Sequence, residues 1–238
     1  MKTLARVVPC RNEAARLDRQ AFVQAVERWP WISFCFVDDG STDSTSEILA
    51  HMATLSPAFH AIYLPRNKGK AEAVRAGVRY LCKYTHADFI GFWDADLATP
   101  LDEVPHFMDM FETFPQTRIV IGSRWPHLGA DIQRTVCRGF AGAIVKLIIR
   151  FALGVPVCDT QCGAKIFARE LADELFEKPF RTRWLFDVEI LSRLGRRLTT
   201  VVRECPLNAW FDVPGSKIDM RALRELLLLS IALRMRLL

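Results

Sequence analysis

Short apolar runs alternate with amphipathic stretches through the first half of the chain. Runs at Leu4–Val8, Ile32–Val37, Ala61–Leu64, Asp88–Trp93 and Arg118–Ile121 predict buried strands. Between them, Glu13–Glu27, Ser44–Met52, Ala71–Cys82 and Leu101–Phe111 carry apolar residues at helical spacing. Asp43 or Ser44 suits the cap of the second of these helices, and Pro100 the start of the fourth. Alternating strands and helices predict an α/β fold, a mostly parallel sheet flanked by helices.

The pattern changes after Gly122. Residues 134–153 read as a helix that is apolar almost all round, broken by single basic residues, and Gly154–Gly163 is irregular. A strand (Ala164–Phe167), two helices (Arg169–Phe176 and Asp187–Leu194) and a strand (Thr199–Glu204) follow. A loop (Pro206–Lys217) and an amphipathic helix at about Met220–Leu237 close the chain. No repeat or low-complexity linker interrupts it. The expectation is one domain, with 1–122 and 123–238 as its two halves.

Composition narrows the classes. The 238 residues suffice for one full core, and 50% apolar with 25% charged residues is ordinary for a globular protein. A net charge of +5 gives no reason to expect a nucleic-acid partner. Arg124, Arg134, Arg138, Lys146 and Arg150 nevertheless cluster with the single acid Asp131 in a very apolar stretch, which points to an anionic surface or substrate. The seven cysteines form no C-x-x-C pair and read as reduced thiols. Cys158 and Cys162 lack His or Cys neighbours to complete a metal set. Met1–Pro9 reads as a strand rather than a leader, and Leu226–Leu233 falls far short of the roughly 20 apolar residues of a membrane span.

Two acidic loops follow strands. ISFCFV runs into Asp38-Asp39-Gly40-Ser41-Thr42-Asp43, and DFIGFW runs into Asp94-Ala95-Asp96. In a parallel sheet both loops share the carboxyl edge, where ligands bind. Carboxylates gathered there repel one another, and a hard divalent cation bridging to phosphate would relieve this. Asp43 is explained by helix capping alone. The turn chemistry of Asp94 and Asp96 does not require two acids. Arg66-Asn67-Lys68-Gly69-Lys70 precedes a helix and suits an anion, or is equally a solvated basic loop. Arg134 and Arg138, four apart, share a helix face and suit a phosphate, or form a solvated basic face.

The segments VVPCRNEA, VDDGSTDST, RNKGKAEAV and WDADL resemble, in order and spacing, the family 2 glycosyltransferases of the GT-A (Rossmann-like) fold. GSRW, CDTQCGAKIF, RTRWLFDVEIL and VPGSKI resemble the polyprenyl-phosphate branch, and DTQCG with RWLFDVE is most similar to its dolichyl-phosphate β-glucosyltransferases. Mannosyltransferases of the same branch come next. The resemblance implies an inverting hexose transfer to a polyprenyl phosphate, from UDP-glucose with GDP-mannose as second donor, or to a soluble hydroxyl acceptor. It implies Mg²⁺ or Mn²⁺. Pro9, Arg11, Glu13 and Asp39 match nucleotide contacts, with Lys68 beside them. Asp94 and Ala95 match donor-binding positions, and Asp96, with Asp94, the metal site. Arg124 and Lys217 match phosphate contacts. Arg134 and Arg138 match the acceptor-phosphate region, and Asp159 the residue assigned as catalytic base, which in this chain either removes a proton or orients a substrate group.

Helix 134–153 and the last helix suit a membrane interface, since single basic residues snorkel from an apolar helix. Helix 134–153 alternatively packs on the core, and the last helix equally suits core or homodimer packing. The protein is expected to be cytoplasmic and peripheral on a membrane. A sugar-nucleotide pyrophosphorylase would need a Gly-rich N-terminal loop, which VVPCRNEA lacks. A phospho-acceptor signalling domain would leave DAD and DTQCG unexplained. An inactive binding module sits poorly with Asp94, Asp96, Asp159 and Lys217.

Overall fold

The structure, a computed structural model, describes residues 2–133 and 157–212. The expected helices at 134–153 and 220–237, and with them Arg134, Arg138 and Lys217, lie outside the described residues. The chain divides into two units, Met1–Leu97 with Gly163–Pro179, and Ala98–Cys162 with Phe180–Leu238.

The first unit begins with β1 (Leu4–Cys10), α1 (Arg19–Arg28), β2 (Ile32–Asp38), α2 (Thr45–Leu55), β3 (Phe59–Tyr63), α3 (Lys70–Tyr84) and β4 (Phe89–Trp93). The second unit takes up α4 (Val104–Thr113), β5 (Ile119–Ser123) and β6 (Asp131–Gln133). The chain returns to the first unit for β7 (Ala164–Ala168) and α5 (Arg169–Phe176). It then re-enters the second for α6 (Phe186–Leu194), the single turn α7 (Leu198–Val201), β8 (Val202–Pro206) and β9 (Ala209–Phe211).

In the first unit the strands lie in the order β3-β2-β1-β4-β7. The first four are parallel, and β7 runs antiparallel to β4. Strands β1 and β2 are covered on both faces, which is why they read as continuous apolar runs. On one face Phe22 of α1 meets Phe34 and Phe36 edge-on at 5.0 and 5.1 Å. On the other, Gly77 of α3 lies against Val7 and Val37. Arg6 interrupts the apolar run of β1. It is fully buried, with its guanidinium carbon 4.5 Å from the Phe34 ring and 5.1 Å from the Trp93 ring. Burial pushes it down to about 9.

The strand order positions the candidate site. From β1 the chain steps outward to β2 and β3, then crosses back so that β4 lies on the other flank of β1. Ligands in open parallel sheets bind at such a reversal, beyond the carboxyl ends of the strands. Here those ends deliver Cys10–Glu13 and Asp94–Asp96. In the second unit β5 pairs in parallel with β8, and β6 with β9. The buried Glu103 carboxylate fastens the turn between β8 and β9 by accepting the Ala209 amide at 2.9 Å.

Four expectations need correction. The first helix starts at Arg19, not Glu13, because the Glu13 amide is committed to Thr45 Oγ1 at 2.8 Å and Asp18 caps the helix from Ala21 N at 3.0 Å. The fourth opens as a 3-10 turn, Leu101–Glu103, before α4. Residues 198–201 form a helical turn, and the strand runs from Val202 to Pro206. Strands β6 and β9 were not foreseen, and β9 lies in the segment read as a loop.

Replacing Gly77 by alanine tests the packing. In a helix this change ordinarily adds about 1 kcal/mol of stability. Here the new Cβ would lie 2.5 Å from Val7 Cγ1 and 2.8 Å from Val37 Cγ2. Overpacking of this kind costs about 1–3 kcal/mol. Gly77→Ala is expected to lower the melting temperature by several degrees in a thermal unfolding scan. A raised melting temperature would show that α3 does not approach the sheet this closely.

Candidate active site

At the carboxyl edge of the first unit, the loop after β1 is laced to the loop after β2. Asn12, at φ 53°, donates its amide to Ser41 Oγ at 3.0 Å and accepts from the Thr42 amide at 2.9 Å. Asp43 Oδ2 accepts the Ala14 amide at 3.3 Å and Asp43 Oδ1 the Thr45 amide at 3.0 Å. Hydrogen bonding lowers the Asp43 carboxyl below its usual value, led by the Thr45 hydroxyl. Asp38 is buried and accepts from the Ser41 amide, the Ser41 hydroxyl and the Ser46 hydroxyl. Asp39 turns its two oxygens to the amides of Lys68 and Gly69, at 2.6 and 2.8 Å. Gly40 is required here. It has φ 64°, and a Cβ would fall 2.6 Å from the Arg66 carbonyl carbon and Asn67 nitrogen.

The loop after β4 is a tight turn, closed by the Leu97 amide on the Asp94 carbonyl at 3.2 Å. Asp94 Oδ1 lies 2.5 Å from Lys70 Nζ, at the first residue of α3. Its carboxylate occupies the space that a Cβ on Gly163 would fill, so a larger residue there would displace the Asp94 side chain. Glu13 is close enough to feel both aspartates. Burial raises its carboxyl above the usual range, the Arg16 guanidinium at 2.7 Å opposes the rise, and Asp96 and Asp94 add to it. Three acids thus share one edge, with Lys70 and Arg16 as cationic partners.

This donor set fits one side of a hard divalent cation. Mg²⁺ is commonly held by one or two carboxylates, with substrate phosphates and water completing the shell. Asp94 and Asp96, two positions apart on one turn, supply such a pair. Among the described residues no group of three His, Cys, Asp or Glu side chains is arranged to hold a metal. A cation there would take its remaining ligands from a bound diphosphate and from water.

The second unit contains a separate charged constellation. Arg124 directly follows β5 and binds Asp159 three ways, through its amide at 3.0 Å and through Nε and Nη2 at 2.7 Å each. The Asp159 side chain is 1% exposed and that of Arg124 19%. The guanidinium carbon lies 5.3 Å from the Trp210 ring of β9. Glu204 of β8 accepts the Asp159 amide at 2.8 Å and the Cys158 amide at 2.9 Å. Both oxygens of Asp159 are therefore engaged by one arginine, in the strong bidentate geometry.

Of the residues singled out from the sequence, Pro9, Arg11, Glu13, Asp39, Lys68, Asp94, Ala95 and Asp96 all lie on the loops or strand ends of the first unit. Arg11 and Lys68 are exposed there, while Glu13, Asp39 and Ala95 are buried. Arg124 and Asp159 are brought together in the second unit. Sequence reasoning passed over Lys70, Gly163, Glu204 and Trp210 as site residues. Lys70 had a signal in RNKGK as the lysine nearest the helix start. The role of Glu204 rests on a contact 45 residues away along the chain.

Residues 6–176 match the family described as Glycosyl transferase family 2. A dolichyl-phosphate beta-glucosyltransferase of Trichomonas vaginalis is 34% identical over 229 residues, covering 90% of this chain and 65% of that protein. One from Dictyostelium discoideum is 30% identical over 231 residues, covering 91% and 68%. The chain thus spans about two thirds of the length of these relatives. Among solved structures, glucosyl-3-phosphoglycerate synthase from Mycobacterium tuberculosis, in complex with Mn²⁺, UDP-glucose and phosphoglyceric acid, superimposes with a TM-score of 0.67 at 18% identity. That match covers 99% of this chain and 79% of that one. Mannosyl-3-phosphoglycerate synthase from Rubrobacter xylanophilus does so with a TM-score of 0.66 at 16% identity, covering 99% and 74%. These likenesses concern the fold, the GT-A arrangement. Matched by the family over 6–176 and by relatives at 30% identity and above over nine tenths of its length, the chain belongs to glycosyl transferase family 2.

Proposed function

We propose that the chain transfers glucose from UDP-glucose, with inversion, to a polyprenyl phosphate of the dolichyl type at the cytoplasmic surface of a membrane. The dolichyl-phosphate beta-glucosyltransferases among its relatives support the sugar and the acceptor. The observation that carries the choice of acceptor is the engagement of both Asp159 oxygens by Arg124. A hydroxyl acceptor needs a base to take its proton. A phosphate is already an anion and needs positioning and charge screening instead. An aspartate locked to an arginine suits the second case. Among the described residues no helix is long and apolar enough to cross a membrane, and the acceptor would be met at the surface.

In the proposed reaction an acceptor phosphate oxygen forms a bond to the anomeric carbon. The bond from that carbon to the UDP oxygen breaks, and its electron pair leaves on the diphosphate. Asp159 anchors the Arg124 guanidinium, whose charge, assigned to the phosphates by resemblance, would oppose the negative charge that develops in the transition state. Pro9, Arg11 and Glu13 border the nucleotide. Asp39 shapes that border by holding the Lys68–Gly69 amides, with Lys68 facing the phosphates. Asp94, paired with Lys70, and Ala95 contact the donor. Asp96, with Asp94 beside it, would hold Mg²⁺ or Mn²⁺, which supplies charge neutralisation to the leaving diphosphate. Lys217 is assigned to the donor phosphates, and Arg134 and Arg138 to the acceptor phosphate, by resemblance alone.

Three outcomes are expected. UDP-glucose with Mg²⁺ or Mn²⁺ raises the melting temperature, by about 2.7 kcal/mol of stabilisation at a hundredfold excess over Kd. A shift with GDP-mannose in place of UDP-glucose would overturn the donor assignment. In calorimetry, Asp96→Ala binds UDP-glucose equally weakly with and without the cation, and a persisting cation effect would remove Asp96 from the metal site. Asp159→Asn lowers kcat by about 10–100-fold, the scale of a misplaced catalytic group, with the donor KM nearly unchanged. Near-normal turnover would contradict any role for Asp159 in the transfer.

A further inference from the structure

We infer that Glu204 is a positioning residue for the transfer, acting on Arg124 through Asp159. The inference rests on the functional reading of the Arg124–Asp159 pair given above. Asp159 sits in an irregular segment, between Cys158 and the buried Thr160, with no strand or helix to orient it. Its direction is set at two points. Its carboxylate is held by Arg124, and its amide by Glu204 Oε1 at 2.8 Å. The same Glu204 carboxylate takes the preceding amide, that of Cys158, at 2.9 and 3.0 Å. Two consecutive amides aimed at one carboxylate fix the peptide plane between Cys158 and Asp159. That plane sets where the Asp159 side chain leaves the backbone.

The strands close the circuit. Glu204 lies opposite Ile121 in the parallel β5–β8 pair, and Ser123 lies opposite Pro206. Arg124 therefore leaves β5 on the same strand pair that carries Glu204. The Leu207 amide bonds to the Ser123 carbonyl at 3.0 Å, and Trp210 lies beside the Arg124 guanidinium. Glu204 to Asp159 to Arg124 is one hydrogen-bonded chain anchored at both ends in β5 and β8. Backbone amides are the only described partners of the Glu204 carboxylate, so it acts by reach and direction, and a glutamine oxygen in the Oε1 position can accept from both amides once its NH2 group turns off the Cys158 amide that Oε2 meets at 2.9 Å.

The test is a double-mutant cycle on the full chain, with kcat, donor KM and melting temperature measured for every variant. Glu204→Ala is expected to lower kcat by about 10–100-fold, with donor KM changed less than about twofold. In an Asp159→Asn background the same change is expected to cost less than about twofold, because the residue it positions is already disabled. Glu204→Gln recovers most of the activity. Glu204→Asp, which keeps the charge and loses one methylene of reach, does not, and this pair decides the matter if the alanine variant fails to fold. Equal losses in both backgrounds would mean that Glu204 merely supports the loop, and would overturn the inference. An active Glu204→Ala beside an impaired Asp159→Asn would overturn the inference alone. A near-normal Asp159→Asn would overturn the reading of Asp159 and this inference with it.

Discussion

Glu13, Asp94 and Asp96 crowd one edge because β1 and β4 are neighbours in a parallel sheet, and their mutual repulsion is the constraint around which the first unit is built. Every strand end in a parallel arrangement points the same way, so acids placed after several strands must converge. Two cations answer them directly, Lys70 on Asp94 and Arg16 on Glu13. Burial still raises the Glu13 carboxyl, and the two aspartates raise it further. Carboxylates gathered in this way suit a divalent cation, which would also bind the negative diphosphate of a nucleotide sugar. The surrounding loops are held by side-chain hydrogen bonds. Asp38, Asp39 and Asp43 accept from backbone amides and hydroxyls across them.

The second unit solves a different problem with a different pairing. Arg124 and Asp159 neutralise one another, and the pair is nearly sealed on the Asp159 side. A buried carboxylate that is bidentate to arginine makes a good anchor. An anionic acceptor needs an anchored cation, so the pair, the relatives' dolichyl-phosphate chemistry and the absence of any need for a base agree. Glucosyl-3-phosphoglycerate synthase, solved with phosphoglyceric acid, shares this frame. A shared frame does not choose an acceptor, so under the proposed function that choice would fall to side chains such as these.

Much of this was legible in the sequence, for a physical reason. Strands covered on both faces leave unbroken apolar runs, so β1, β2 and β4 could be read to within two residues of their ends. The acids that follow them could then be placed on one edge. What escaped depends on partners distant along the chain. The residues before Arg19 look helical until their amides are seen committed to Thr45 and Asp43. Thr199, Thr200 and Val201 carry β-branched side chains yet form a helical turn, since packing overrides propensity. Strands β6 and β9, three residues each, are too short to show a period. Asp39 resembles a nucleotide contact by motif, while its carboxylate holds the loop at Lys68.

The central claim is that the acceptor is a lipid-linked phosphate supplied with glucose from UDP-glucose. It is tested most directly by incubating the protein and Mg²⁺ or Mn²⁺ with radiolabelled UDP-glucose and, in parallel, dolichyl phosphate in detergent or 3-phosphoglycerate in buffer. The account predicts label in the organic phase as a glucosyl lipid phosphate, and none on the phosphoglycerate. Label on the soluble hydroxyl acceptor, with the lipid phosphate left unglucosylated, would contradict it.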